Sequence, residues 1–133
     1  MMIEINIRTN SRVEMADITA AVQAVVNEKK VKSGLCIVFT PHTTAAITIN
    51  ENADPDVPRD IIVALETAIP QKAHYRHSEG NSPAHVKSSL IGASETVLIE
   101  NGKLVLGTWQ SLFFCEFDGP RSRKVLVKII PAD

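Results

Sequence analysis

Thr96-Val97-Leu98-Ile99-Glu100-Asn101-Gly102-Lys103-Leu104-Val105-Leu106 runs directly into Gly107 to Phe117, and after Asp118-Gly119-Pro120 the chain resumes as Lys124 to Ile130. Asn-Gly supplies the two positive φ angles of a type I′ turn, so the first run predicts two antiparallel strands joined at 101–102. Gly107 to Phe117 reads as a further strand, and Lys124 to Ile130 alternates apolar and polar residues again. Consecutive strands this late in a chain favour an α+β fold with antiparallel sheets, or a sandwich, over alternating βαβ units.

Working back from that stretch, the first half of the chain mixes both periods. Ile3, Ile5 and Ile7 alternate with polar residues, the mark of a half-buried strand. Asp17 predicts a helix start. Ile18, Ala21, Val22, Val25 and Val26 give a helical stripe, and Gly34 closes the segment after Lys29, Lys30 and Lys32. Leu35 to Phe39 predicts a buried strand, interrupted by Thr40-Pro41-His42 because proline removes a ladder donor. Thr43 to Asn50 resumes as β. An acidic turn leads to a helix opened at Asp56 or Val57, with Ile61, Ile62, Leu65 and Ile69 on its apolar face and Pro70 as its stop. Gln71 to Asn81 is a polar loop, long enough in so small a domain to suggest function. Ser82-Pro83 starts a third, short helix ended by Gly92.

The chain has 133 residues, 44% of them hydrophobic and 22% charged, which predicts a single globular domain over 1–133. Fourteen Lys and Arg against fifteen Asp and Glu give a net charge of −1. That balance argues against electrostatic capture of nucleic acid or an anionic membrane. No stretch approaches the roughly 20 apolar residues of a spanning helix, and the N-terminus lacks a secretory pattern. The expected location is the cytoplasm. Cys36 and Cys115 fall in apolar strands and read as inert core.

Four histidines stand at 42, 74, 77 and 85. Three imidazoles with one open position make a common catalytic zinc pattern, although these spacings match no short zinc motif. Solvated loop histidines are the competing reading. Taken with Ser82 as N-cap, His85 falls in the first helical turn, where the helix dipole disfavours imidazolium. Gly80, Asn81 and Ser82 at that helix start suit a phosphate, or else merely cap the helix. Glu51, Asp54 and Asp56 suit Mg²⁺ or a histidine partner, or else Asx-turn chemistry. Thr108 and Gln110 fall two apart on one strand face. Glu116, set among Leu112, Phe113, Phe114, Cys115 and Phe117, requires a partner if buried. Arg121, Arg123 and Lys124 form a basic cluster that suits phosphate or solvent.

Several of these residues sit in longer motifs. They are Pro41-His42-Thr43-Thr44-Ala45, Thr48-Ile49-Asn50-Glu51-Asn52-Ala53-Asp54-Pro55 and Tyr75-Arg76-His77-Ser78-Glu79-Gly80-Asn81. To them are added Ala84-His85-Val86-Lys87-Ser88-Ser89-Leu90, Gly102 to Gln110 and Glu116-Phe117-Asp118-Gly119-Pro120-Arg121. Together they resemble the YjbQ-type family, often labelled secondary thiamine-phosphate synthase, over essentially the whole chain. The resemblance implies a mainly antiparallel, jelly-roll-like β-sandwich with about three helices, assembled as a homotrimer. It implies a metal held by His42, His77 and His85 near a subunit interface, with His74 outside the set; imidazole ligands make zinc the first expectation among divalent metals, with nickel, copper and iron(II) also accepted and magnesium with a diphosphate substrate. It further implies catalytic Glu51, Glu116 and Gln110, and substrate contacts from Asn50, Asp54, Ser82, Thr108 and Arg121.

The reading that follows is a metal-dependent transferase acting on a small phosphorylated substrate. Hydroxymethylpyrimidine diphosphate would lose pyrophosphate and be joined to thiazole phosphate. A metal-assisted hydrolase and a non-catalytic trimeric binding protein are the alternatives.

Overall fold

Alternation builds the larger of two sheets. β1 (Met2–Arg8), β8 (Ser122–Pro131), β3 (Gly34–Phe39), β5 (Ser94–Glu100) and β6 (Lys103–Leu104) lie side by side in that order. Cys36, Val38, Val97, Ile99, Val125 and Val127 point inward and are almost fully buried. Their neighbours in sequence point outward, as the pleat requires. The smaller sheet runs β2 (Glu14–Asp17), β7 (Gln110–Glu116) and β4 (Ala45–Glu51). Each pairing in both sheets is antiparallel. Three helices complete an α+β fold: α1 (Thr19–Lys29), α2 (Asp56–Ala68) and α3 (Ser82–Ile91). A computed structural model describes residues 2–132, so the two terminal residues of the expected 1–133 domain lie outside the described residues. No helix among the described residues is long and apolar enough to cross a membrane.

The smaller sheet is covered on both faces. Ala45, Ile47, Leu112 and Phe114 join the larger sheet and Val22, Val25 and Val26 of α1 in one core. Ala46, Phe113, Cys115 and Phe117 form a second core with Ala84 of α3, against which Leu65 of α2 packs. That is why 112–117 shows no alternation: a strand with apolar contacts on both faces has no polar side.

The Asn101-Gly102 turn forms as its residues dictate, with φ of 52° and 76°. Four details differ from expectation. β2 forms over residues with no expected element before Asp17, because four residues reading Glu-Met-Ala-Asp gain their order from pairing with β7. Asp17 still accepts the Thr19 amide through Oδ1 at 2.9 Å. Helix α1 stops at Lys30, which adopts left-handed φ 54°, and not at Gly34. Gly34 instead lets β8 pass closely, since a Cβ there would lie 2.2 Å from the Ile130 carbonyl oxygen. Residues 107–109 turn before β7 begins. Asn81, not Ser82, is the residue before the first turn of α3, which moves His85 one position further into the helix.

Candidate functional site

The cleft begins where β3 fails to continue. Its last pairing is Phe39 with Leu126 of β8. Thr40-Pro41 then turns the chain away, because Pro41 has no amide to offer a ladder. His42 follows, and its Nε2 accepts the Lys124 backbone amide at 2.9 Å. The ring thus docks on the part of β8 that β3 leaves behind. His85 comes from the first turns of α3, and His77 from the loop before it. The His77 and His85 rings lie 5.3 Å apart at 89°, edge to face. All three histidines line one cleft of about 410 Å³, together with Glu79, Asn81, Asp118 and Arg121.

Arg123 lines the cleft and belongs to a buried ion pair. Glu116 ends β7 and Arg123 is the second residue of β8, with side chains 0% and 3% exposed. Glu116 Oε1 accepts from Thr9 Oγ1 and Arg123 Nε, each at 2.8 Å. Its Oε2 accepts from the Asp118 amide at 3.0 Å and from Arg123 Nη2. Arg123 Nη2 also donates to Thr44 Oγ1 at 2.9 Å. Burial alone raises the Glu116 carboxyl, but hydrogen bonds from Arg123, Asp118 and Thr9 outweigh it and hold the group below its ordinary 4.5. Every oxygen is used, as a buried carboxylate requires. Glu116, expected as a catalytic residue, thus has both oxygens engaged within the protein and braces the wall of the cleft.

The walls are clasped as well. Arg121 gives Nη2 to Asp118 Oδ2 at 3.0 Å and Nε to the Asp118 carbonyl at 2.9 Å. Its Nη1 makes no hydrogen bond among the described residues. Asn81 Nδ2 donates to Asp118 Oδ2 at 2.9 Å. Asn81 Oδ1 is left buried with no partner among the described residues. Behind the cleft, Lys87 of α3 is 1% exposed and gives Nζ to Glu66 of α2 at 2.8 Å. Glu66 also accepts from Arg12 Nη2 at 3.1 Å, and the Arg12 carbonyl accepts the Gly119 amide at 2.9 Å.

His42 is electrostatically distinct. Burial, and after it the Arg123 guanidinium, lower its pKa from 6.5, with Glu116 pulling the other way and Arg121 and Lys124 adding to the decrease. His77 Nε2 stands 3.9 Å from Glu79 Oε2. Among the described residues, no three His, Cys, Asp or Glu side chains are placed to hold a metal ion. The donor set does not fit one either, since His42 Nε2 already accepts an amide proton.

The rest of the expected polar pocket lies elsewhere. Ala45 pairs with Glu116, but Glu51 pairs with Gln110 at the other end of the same two strands. Six residues of strand, roughly 20 Å, separate the two ends. Asn50 Oδ1 accepts the Glu51 amide, Asp54 Oδ1 accepts the Asp56 amide at the start of α2, and Gln110 Oε1 accepts the Gly107 amide. These are local turn contacts. Thr108 is exposed beside them. Glu51, Gln110, Asn50, Asp54 and Thr108 are thus not brought to the histidines within one chain. Ser82 lines an adjoining hollow with Tyr75, His77, His85 and Val86. Asp118 was missed as a site residue. Its sequence signal is its place in the Glu116-Phe117-Asp118-Gly119-Pro120-Arg121 motif, where it reads only as a turn residue.

Cys36 and Cys115 are buried, and burial pushes their thiols up to about 11 and about 12, so they are inert at neutral pH.

Residues 3–132 match the family model described as UPF0047 protein YjbQ-like. The UPF0047 protein MJ1081 of Methanocaldococcus jannaschii is 54% identical over 98% of this chain and 94% of its own length. A crystal structure of an uncharacterized conserved protein of the YjbQ/UPF0047 family from Clostridium acetobutylicum superposes with a TM-score of 0.95 at 57% identity, covering 96% of this chain and 99% of that one. A YbjQ-like protein of unknown function from Sulfolobus solfataricus gives 0.94 at 32% identity, covering 99% and 97%. None of these names carries an activity. The expected thiamine-phosphate synthesis, its metal dependence and the metal-assisted alternatives are corrected accordingly: these relatives carry a family label without a reaction, and the imidazoles share a cleft without converging on a metal position.

Proposed function

The chain belongs to the UPF0047 protein YjbQ-like family, and we propose that its histidine cleft binds a small anionic molecule, with a phosphate group as the simplest occupant. The observation that carries this reading is the gathering of His42, His77, His85 and Arg121 around one polar cleft. Arg121 is held rigid by Asp118 on one edge of its guanidinium while Nη1 stays open, which suits an oxyanion. The start of α3 adds the positive end of its dipole, although Pro83 has no amide and the Ala84 and His85 amides are taken by the Asn81 carbonyl. The orphan Asn81 Oδ1 asks for a hydrogen-bond donor from the same ligand or from a water.

Calorimetric titration with inorganic phosphate tests this. Saturable binding is expected, weakened about tenfold or more in Arg121→Ala, the effect of losing one charge-assisted hydrogen bond. Absence of binding, or equal affinity in the variant, would refute it.

The same reading takes the two sheets as a sandwich and the protein as a homotrimer. In support, Leu98, Leu35 and Ile130 form an in-register row across β5, β3 and β8 on the outer face of the larger sheet. They are 58%, 37% and 44% exposed. An apolar row on a soluble protein's sheet face marks a contact surface. A neighbouring copy is also the one means of bringing Glu51, Thr108 and Gln110 beside a histidine cleft. Sedimentation of Leu98→Lys is expected to show monomers where the parent chain shows trimers. A parent chain that sediments as a monomer excludes the assembly.

A further inference from the structure

His42 carries information in its hydrogen bond that its neighbours lack. A backbone amide donates and never accepts. The 2.9 Å contact from the Lys124 amide therefore requires a lone pair on His42 Nε2. A neutral imidazole with a lone pair on Nε2 carries its proton on Nδ1. Protonating Nε2 would set two N–H groups against each other and lose the bond. The flanking charges act the same way, since Arg121, Arg123 and Lys124 outnumber Glu116 around the ring. Nδ1 has no hydrogen-bond partner among the described residues, and the ring lines the cleft.

We infer that the Lys124 amide fixes His42 as the neutral Nδ1–H tautomer, which makes the ring a hydrogen-bond donor to an anionic oxygen in the cleft and removes it from metal ligation. The donor half of this inference rests on the anion reading above, whereas the tautomer does not. It places His42 beside Arg121 as a group that recognises the ligand by donating. It also separates His42 from His77 and His85, whose ring nitrogens accept no backbone amide among the described residues. The break in the sheet is what makes this possible. The chain leaves β3 at Pro41, and an imidazole nitrogen takes up the Lys124 amide in place of a strand carbonyl.

The test is long-range ¹H–¹⁵N correlation on ¹⁵N-histidine-labelled protein at neutral pH. Spectra of His74→Gln, His77→Gln and His85→Gln assign His42 by elimination, so no His42 variant has to fold. The free protein is expected to show a pyrrole-type Nδ1 and a pyridine-type Nε2 for His42. Adding inorganic phosphate is expected to shift the Nδ1 resonance, and adding Zn²⁺ alone is expected to leave both nitrogens in place. An Nε2–H tautomer, an imidazolium, or a zinc-induced shift of Nε2 would overturn the inference. If the tautomer holds but phosphate moves no histidine signal, the donor role falls together with the anion reading, and the exclusion from metal ligation stands.

Discussion

The paired strands β4 and β7 end in two different ways. At the Ala45–Glu116 end, a buried carboxylate and guanidinium exchange hydrogen bonds with Thr9, Thr44 and the Asp118 amide, and the histidine cleft opens above them. At the Glu51–Gln110 end, equally polar residues satisfy their own turns and face solvent. Both ends are rich in the residue types that carry chemistry. The difference is bracing. Side chains at the first end are held by partners distant in sequence, which costs folding energy to arrange and fixes the geometry of a binding wall. At the second, Asn50, Asp54 and Gln110 are held by neighbours a few residues away, and the distant tie from Asn52 to Asp17 is exposed.

The sharpest way to break this contrast is Glu116→Gln. It strands the buried Arg123 without its counter-charge, and breaking a buried pair costs about 3–5 kcal/mol. Urea unfolding should show that loss; a change below about 1 kcal/mol would place the two ends on one footing. Gly119→Ala comes next. Its Cβ would sit 2.4 Å from the Ser11 carbonyl oxygen and 2.8 Å from Glu116 Cγ, so backbone must shift and about 1–3 kcal/mol is expected, again from urea unfolding.

Acid probes the same end more gently. Glu116 is held below its ordinary 4.5 in the folded chain. Its contribution is therefore complete above that value and is lost as pH falls through the lower folded value, because the unfolded chain takes up the proton first. Glu66 is depressed too: burial raises it, but Lys87 and Arg12 outweigh that. Denaturation midpoints measured from pH 6 down to about pH 3 should fall, and fall less steeply in Glu116→Gln. The smallest effect belongs to the other end. Asp54→Ala removes the acceptor for the Asp56 amide at an exposed helix start, which is worth about 0.5–1 kcal/mol. Phosphate affinity should not change in that variant within a single chain. A large loss would mean that the turn end reaches a cleft in the assembled protein.

In the larger sheet, β1 and β8 were legible because their outer faces are polar enough to print a period of two, whereas β3 and β5 showed only as short apolar runs beside turn signals. β7 was legible only as a long apolar run, since both of its faces are covered and its start at Gln110 carries no stop signal. β2 left no trace, because four half-buried edge residues are ordered by their partner and not by their own propensities. Gly34 looked like a helix stop when its real requirement is the nearness of β8, a contact invisible along the chain. The histidines were legible as a set, and the clustering of His77 and His85 follows from a loop leading straight into a helix. What sequence could not give is direction along a strand. Asn50 and Glu51 stand only eight and nine positions after His42, yet β4 carries them to the far end of its sheet.

One relay encloses the cleft from behind. His85 rides on α3, whose Lys87 grips Glu66; Glu66 holds Arg12, and the Arg12 carbonyl holds the turn at Gly119 next to Asp118 and Arg121. The jaws that face each other across the opening are therefore joined at the back like the arms of a caliper. Glu66 is the hinge pin of that frame, a carboxylate outside the cleft that ties the helix bearing His85 to the turn bearing Asp118 and Arg121.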